Sequence, residues 1–219
     1  MTILPYNQGI RLREYKDLPP HISYNQYQQM VQTINYTSGD MKDFYNARDT
    51  LILHLLWETG GRVGDIARLK ISDFDRNSKT LRMYVKKRKT YLEIPLSDEI
   101  MINLLNYMSE RNKKYETFHK DLLFDLTPTR LWQIVIRCGD ALGLNSPPTV
   151  DKNGKLRQRH IHPHMFRHGL AIHLLQKGVP IPVISARLGH ASTTTTLNYY
   201  LVITPELQRQ IITPDKLRD

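Results

Sequence analysis

The chain has 219 residues, with 31 Lys and Arg against 21 Asp and Glu, and a formal net charge of +10 at pH 7. A hydrophobic fraction of 40% is enough for a packed core and excludes disorder of the whole chain. The single cysteine, Cys138, excludes a disulfide framework and any multi-cysteine zinc site, and the apolar runs are too short to span a bilayer, so a reducing cytoplasmic setting without a membrane partner is expected.

Residues 1–20, ending in Leu18-Pro19-Pro20, carry no periodic apolar pattern and read as an arm or linker. Ser23 with Gln26 forms a capping-box pattern ahead of Tyr27, Met30, Val31 and Ile34 at helical spacing. Residues 43–59 predict a buried helix stopped by Gly60-Gly61, because glycine adopts positive φ without steric conflict, and residues 63–69 predict a short second helix. The apolar period then changes. Residues 80–85 and 91–95 read as the strands of a hairpin around a cationic tip. Ser97 opens a helix with Met101, Leu104, Leu105 and Met108 on one face. Thr127-Pro128 opens another, whose apolar stripe of Leu131, Ile134, Val135, Cys138 and Leu142 makes Cys138 a packed thiol. Residues 144–160 form a loop with room for a small hairpin. Pro163 opens a helix to Lys177, residues 182–188 form a short helix stopped by Gly189, and residues 193–200 and 205–212 form two more. This order predicts an α+β fold, mostly helical, with one small antiparallel sheet or hairpin.

The charge is concentrated in two runs. Residues 76–90 hold seven Lys and Arg and no acid, and residues 152–168 hold five with four histidines and no acid. Two such runs favour a polyanionic partner, and nucleic acid is the commonest, because each phosphate neutralised releases counterions. Four segments carry polar residues that packing does not require. Arg62 follows Gly60-Gly61, and the hairpin tip is Lys86-Lys87-Arg88-Lys89-Thr90. His164 and Arg167 stand three apart on one helix face, and His190 follows a helix stop, with Tyr199 and Tyr200 nine and ten residues later. His160, His162 and His164 alternate as metal ligands on a strand would, but Pro163 interrupts them and no metal is expected. Asp73 and Asp75, beside Asn77-Ser78, read as turn formers rather than as a carboxylate pair.

In this set the chain resembles the tyrosine recombinase (phage integrase) family. Its motifs are an arginine in a T-G-x-R-x-x-E box, a hairpin lysine, an H-x-x-R box, an L-G-H box and a tyrosine nine residues after that histidine. Here they stand as TGGRVGD with Arg62, KKRKT with Lys87 as the best match and Lys86 and Lys89 as alternatives, HMFR with His164 and Arg167, LGH with His190, and Tyr199. The similarity covers residues 21–203. It implies the family's catalytic-domain fold and a site-specific recombinase or integrase that cuts and rejoins DNA strands with no metal or other cofactor. By this resemblance Arg62 and Arg167 would fork the non-bridging oxygens of the scissile phosphate, a task suited to a planar guanidinium. Tyr199 would attack phosphorus to give a 3′-phosphotyrosine, and Lys87 would protonate the departing 5′ oxygen. His164 would serve as acid and base near the tyrosine, and His190 would hydrogen-bond the phosphate. Asp65 stands where the family more often has glutamate; this shorter carboxylate could still buttress the arginine, and a structural role is expected for it. Tyr200 is a second candidate nucleophile, and the nine-residue spacing selects Tyr199.

Family members commonly carry a separate N-terminal helical domain that clamps DNA; a naturally short recombinase and a piece of a longer protein both fit the twenty residues found here. Residues 204–219 read as a C-terminal helix or tail, packed on its own domain or passed to a neighbour. The resemblance implies a tetramer on double-stranded DNA and is compatible with a monomer in free solution. Two readings compete with it: a catalytically silent DNA-binding regulator of the same fold, and a relaxing enzyme like a type IB topoisomerase.

Overall fold

Helix α2 (Lys42–Thr59) is buried over most of its surface, with Leu51, Ile52, Leu53, Leu55 and Leu56 all fully inaccessible, so other elements have to cover it on several sides. The computed structural model describes residues 20–86, 89–114, 121–147, 149–150, 153–154, 156–157 and 160–189. Within them α1 (Tyr24–Gln32), α4 (Asp98–Lys114), α5 (Pro128–Ala141) and α6 (Pro163–Gln176) pack against α2. Two short helices complete the set, α3 (Val63–Ala67) after the end of α2 and α7 (Ile181–Leu188) against α6. The chain has an α+β fold, mostly helical, in which the small antiparallel sheet lies to one side of this helical bundle.

Helix α1 starts in the expected capping box: Ser23 Oγ accepts from the Gln26 amide and Gln26 Oε1 accepts from the Ser23 amide. It is seated by Tyr27, whose ring stacks on Trp57 with centroids 4.8 Å apart and whose hydroxyl meets His54 Nδ1 at 2.5 Å. The two buried polar groups thereby satisfy each other. Burial also holds His54 below the ordinary histidine pKa.

The sheet has the order β1 (Phe74–Asp75), β2 (Thr80–Val85), β3 (Thr90–Pro95), all antiparallel. Strand β1 was not anticipated, because two residues are too few to show a period. Asp75 nonetheless forms the turn foreseen for it, accepting from the Asn77 and Ser78 amides. A second hairpin, β4 (Thr149–Val150) with β5 (Leu156–Arg157), lies in the loop before α6. On α4 the expected stripe shifts: Ile100, Met101, Leu104 and Tyr107 are buried, whereas Leu105 is 47% exposed. One residue turns the helix by about 100°, which carries Leu105 off the face set by 100, 104 and 107. Cys138 is buried on α5, and burial raises its thiol pKa.

The N-terminal half of α2 carries a fully buried charge. Asp49 accepts from Arg48 Nε at 2.7 Å, from Arg137 Nη2 on α5 at 2.8 Å and from the Tyr36 hydroxyl at 2.7 Å. These bonds lock α2 to α5 and to the segment joining α1 to α2. Burial, then the bond to Asp49 and its charge, pushes the Tyr36 hydroxyl up to about 12. Asp49 is inaccessible whereas the Arg137 side chain is half-exposed and can be hydrated once its partner is lost, so Asp49→Ala is expected to lower stability by about 2–3 kcal/mol in urea denaturation. A loss below about 1 kcal/mol would contradict this role.

Candidate active site

Helix α2 ends at Gly60 in the left-handed conformation, φ 58°. The last carbonyls of any α-helix lack intrahelical donors and carry the negative end of its dipole. At this end two arginines from distant segments donate to carbonyls. Arg187, in the last turn of α7, donates from Nε and Nη2 to the Glu58 carbonyl at 3.1 and 2.9 Å. Arg167, on α6, donates from Nη1 to the Gly60 carbonyl at 2.8 Å and from Nη2 to the Leu188 carbonyl at 2.6 Å.

Leu188 ends α7 and is followed by Gly189, also left-handed at φ 63°. The Arg167 guanidinium, 4% exposed as a residue, therefore bridges two helix-ending glycine turns. Glycine is favoured at both, because each φ is positive and any side chain would also displace a leucine end. A Cβ on Gly60 would lie 2.5 Å from Leu188 Cδ2, and one on Gly189 would lie 2.7 Å from Leu92 Cδ1 of the hairpin. The turn that contains TGGR, the H-x-x-R helix, the L-G-H turn and the hairpin are thus in mutual contact.

Arg62 is the N-cap of α3, its carbonyl accepting from the Asp65 and Ile66 amides, and its residue is half-buried. His164 is on the exposed face of the first turn of α6, whereas Arg167 points inward. Burial and then the charges of Arg167, Arg62 and His162 hold the His164 pKa below the ordinary histidine value. The His168 ring meets His164 edge-on, centroids 5.5 Å apart and planes at 82°. Its pKa is pushed down to about 4 by burial, then by His164, Arg167, His162 and His21.

Lys86 and Lys89 are exposed on either side of the hairpin tip, with Lys89 at φ 51°. Lys87, His190, Tyr199 and Tyr200 lie outside the described residues, as do the helices expected over 193–200 and 205–212, the tail 204–219 and nearly all of the arm 1–20. Asp65 has a structural role, with a different partner from the one expected. Its Oδ1 accepts from Arg68 Nη2 at 2.6 Å, so the shorter carboxylate buttresses its own helix's arginine rather than Arg62. Arg187 was missed, although it directly precedes the LGH box; its partner lies 129 residues away, and local sequence carries no sign of that. Among the described residues no group of three His, Cys, Asp or Glu is arranged to hold a metal, and no helix is long and apolar enough to cross a membrane.

Residues 21–206 match the phage integrase family. The chain belongs to that family. It is 30% identical over 200 residues to the tyrosine recombinase XerA of Pyrococcus horikoshii, covering 90% of this chain and 61% of that one. The crystal structure of a XerA recombinase superposes with a TM-score of 0.71 at 22% identity, over 93% of this chain and 68% of that chain. The XerH site-specific recombinase, bound to its difH substrate in a pre-cleavage complex, superposes with a TM-score of 0.66 at 27% identity, over 84% of this chain and 51% of that chain. The chain spans about three fifths of the length of the XerA relatives it matches.

The depressed histidines set a pH dependence. A group whose folded pKa lies below its unfolded value binds its proton more weakly in the native state, so stability is lost as pH falls through the window between the two. For His168 that window runs from about 6.5 down to about 4. Urea midpoints are expected to fall between roughly pH 7 and pH 4.5, and to fall less in His168→Gln. An equal fall in wild type and variant would contradict the assignment.

Proposed function

We propose that this family member is a site-specific DNA recombinase that cuts and rejoins strands through a 3′-phosphotyrosine, with residues 21–203 as its catalytic domain. The observation that carries the reading is the buried Arg167 guanidinium, fixed between the Gly60 and Leu188 carbonyls beside Arg62. A cation already held in place stabilises charge developing on the non-bridging phosphate oxygens without reorganising during the reaction. An arginine can bridge two carbonyls and still present further N–H groups, since its guanidinium has five.

In this mechanism the Tyr199 oxygen attacks phosphorus and gives up its proton to His164. The low pKa of His164 keeps its imidazole neutral near pH 7 and able to accept. The bond to the 5′ oxygen breaks as Lys87 protonates it, and His190 hydrogen-bonds a phosphate oxygen. A 5′ hydroxyl then attacks the phosphotyrosine, reversing the proton movements and releasing Tyr199. Bond energy is kept in the covalent intermediate, so neither hydrolysis nor a nucleotide is required. The substrate is double-stranded DNA, supported by the XerH complex with its difH substrate and by the two basic runs. The silent-regulator reading is disfavoured because the sequence keeps Arg62, His164, Arg167, His190 and Tyr199 at the motif positions, none replaced by an inert residue. On DNA the protein would act as a tetramer in the cytoplasm, with residues 204–219 passed to a neighbour. An apolar cleft of about 420 Å³ lined by Trp57, Leu170, Leu174, Val183 and Ile184 is a surface that could receive them.

The test is a nicked suicide duplex built on inverted repeats flanking the gene. Wild type is expected to form a denaturation-resistant covalent adduct and Tyr199→Phe none. Arg167→Lys is expected to slow adduct formation roughly 10²–10³-fold with a much smaller loss of DNA affinity. No adduct from wild type, or an undiminished one from Tyr199→Phe, would overturn the reading.

A further inference from the structure

Alternation along the hairpin buries Leu81, Met83, Val85 and Ile94, and Val85 and Leu92 lie against the Gly189 turn. The other parity faces solvent in register. Arg82 pairs with Glu93, Tyr84 pairs with Tyr91, and exposed Lys86 and Lys89 follow at the tip. Tyr84 is 38% and Tyr91 51% exposed, their ring centroids are 5.1 Å apart, and the Arg82 guanidinium lies 4.3 Å over the Tyr91 ring. A cross-strand tyrosine pair steadies a hairpin. That accounts for the edges the rings share but not for the ring surface left in water.

This face places aromatic rings between cations: residues 76–92 contain seven Lys and Arg, and the one acid on the face, Glu93, lies across from Arg82 at the end away from the tip. The combination suits unpaired nucleic acid, in which cations follow the phosphates and rings stack the bases. We propose that the outer face of the β2–β3 hairpin holds one or two unpaired DNA bases beside the cut. The proposal rests on the recombinase reading, which supplies such bases: a cut strand can join a new partner only if the base pairs next to the cut open. Tyr84 precedes Lys87, the lysine proposed to protonate the leaving 5′ oxygen, by three residues, which span at most about 11 Å of chain. That reach is about three nucleotide steps. The tyrosines project from the face opposite the one that packs on the Gly189 turn, and a base inside an intact duplex has both of its faces covered by neighbouring bases, so only an opened base has a face free to stack on these rings. The proposed surface is therefore selective for opened DNA.

The experiment uses the full chain and two probes of generic sequence, a duplex and the same duplex with a three-nucleotide unpaired bubble, each carrying 5-iododeoxyuridine at the bubble position. Ultraviolet irradiation is expected to crosslink the bubble probe to the peptide containing Tyr84 or Tyr91 and to leave that peptide unmodified with the intact duplex. By fluorescence anisotropy, wild type is expected to prefer the bubble by about tenfold. Tyr84→Ala with Tyr91→Ala is expected to reduce that preference to under about threefold, whereas the double Phe variant keeps it. No crosslink at these tyrosines from DNA-bound wild type, or an unchanged preference in the double Ala variant, overturns the proposal. A Tyr199 adduct without the crosslink defeats only this face, whereas the crosslink without an adduct defeats the recombinase reading and leaves the base-stacking face standing.

Discussion

One buried guanidinium holds the candidate site together. Arg167 joins a carbonyl 107 residues before it to one 21 residues after it, and both acceptors sit at glycine turns that end helices. Charge-assisted bonds of this kind are shorter and stronger than neutral ones, and leaving such acceptors buried without a donor is costly. A lysine at this position would bring a point charge without the planar fork needed to reach two carbonyls at fixed separation. The residue proposed to meet the scissile phosphate is therefore also the one that joins the two turns around it.

Helix α2 connects this end of the molecule to the other. Its N-terminal half is pinned through Asp49 to Arg48, Arg137 and Tyr36, and its C-terminal carbonyls are met by Arg187 and, one residue past the helix, by Arg167. The middle is a continuous apolar surface. A helix held at both ends is a rigid reference, and catalytic groups positioned on rigid elements keep their geometry better than groups on loops. The hairpin is indexed to the same reference, because Leu92 and Val85 close on Gly189 while Met83 lies near Gly61. The base of the hairpin is thereby fixed relative to the turns that carry Arg62 and Arg167.

Features set by neighbouring residues were legible in the sequence, and features set across the fold were not. The Ser23–Gln26 capping box, the stops at Gly60, Gly178 and Gly189 and the alternation of the hairpin all rest on local rules. Leu105 was misplaced because a stripe of four apolar residues tolerates a one-residue rotation. The partner of Asp65 was misassigned because Arg62 and Arg68 both lie three residues from it, and only the helix geometry selects Arg68. The bonds from Asp49 to Arg137 and from Arg187 to Glu58 were invisible because they span 88 and 129 residues. Arg62, His164 and Arg167 were named from motif order, but the division between a buried Arg167 and an exposed His164 required the packing of α6 on α2.

The claim that Arg167 holds the two glycine turns as one unit is tested most directly by amide hydrogen exchange on wild type and Arg167→Ala. Protection at residues 58–66 and 184–189 is expected to fall together in the variant, by more than about tenfold, while α1 and α4 exchange as in wild type. Unchanged protection at both turns, or loss at one without the other, would contradict the account.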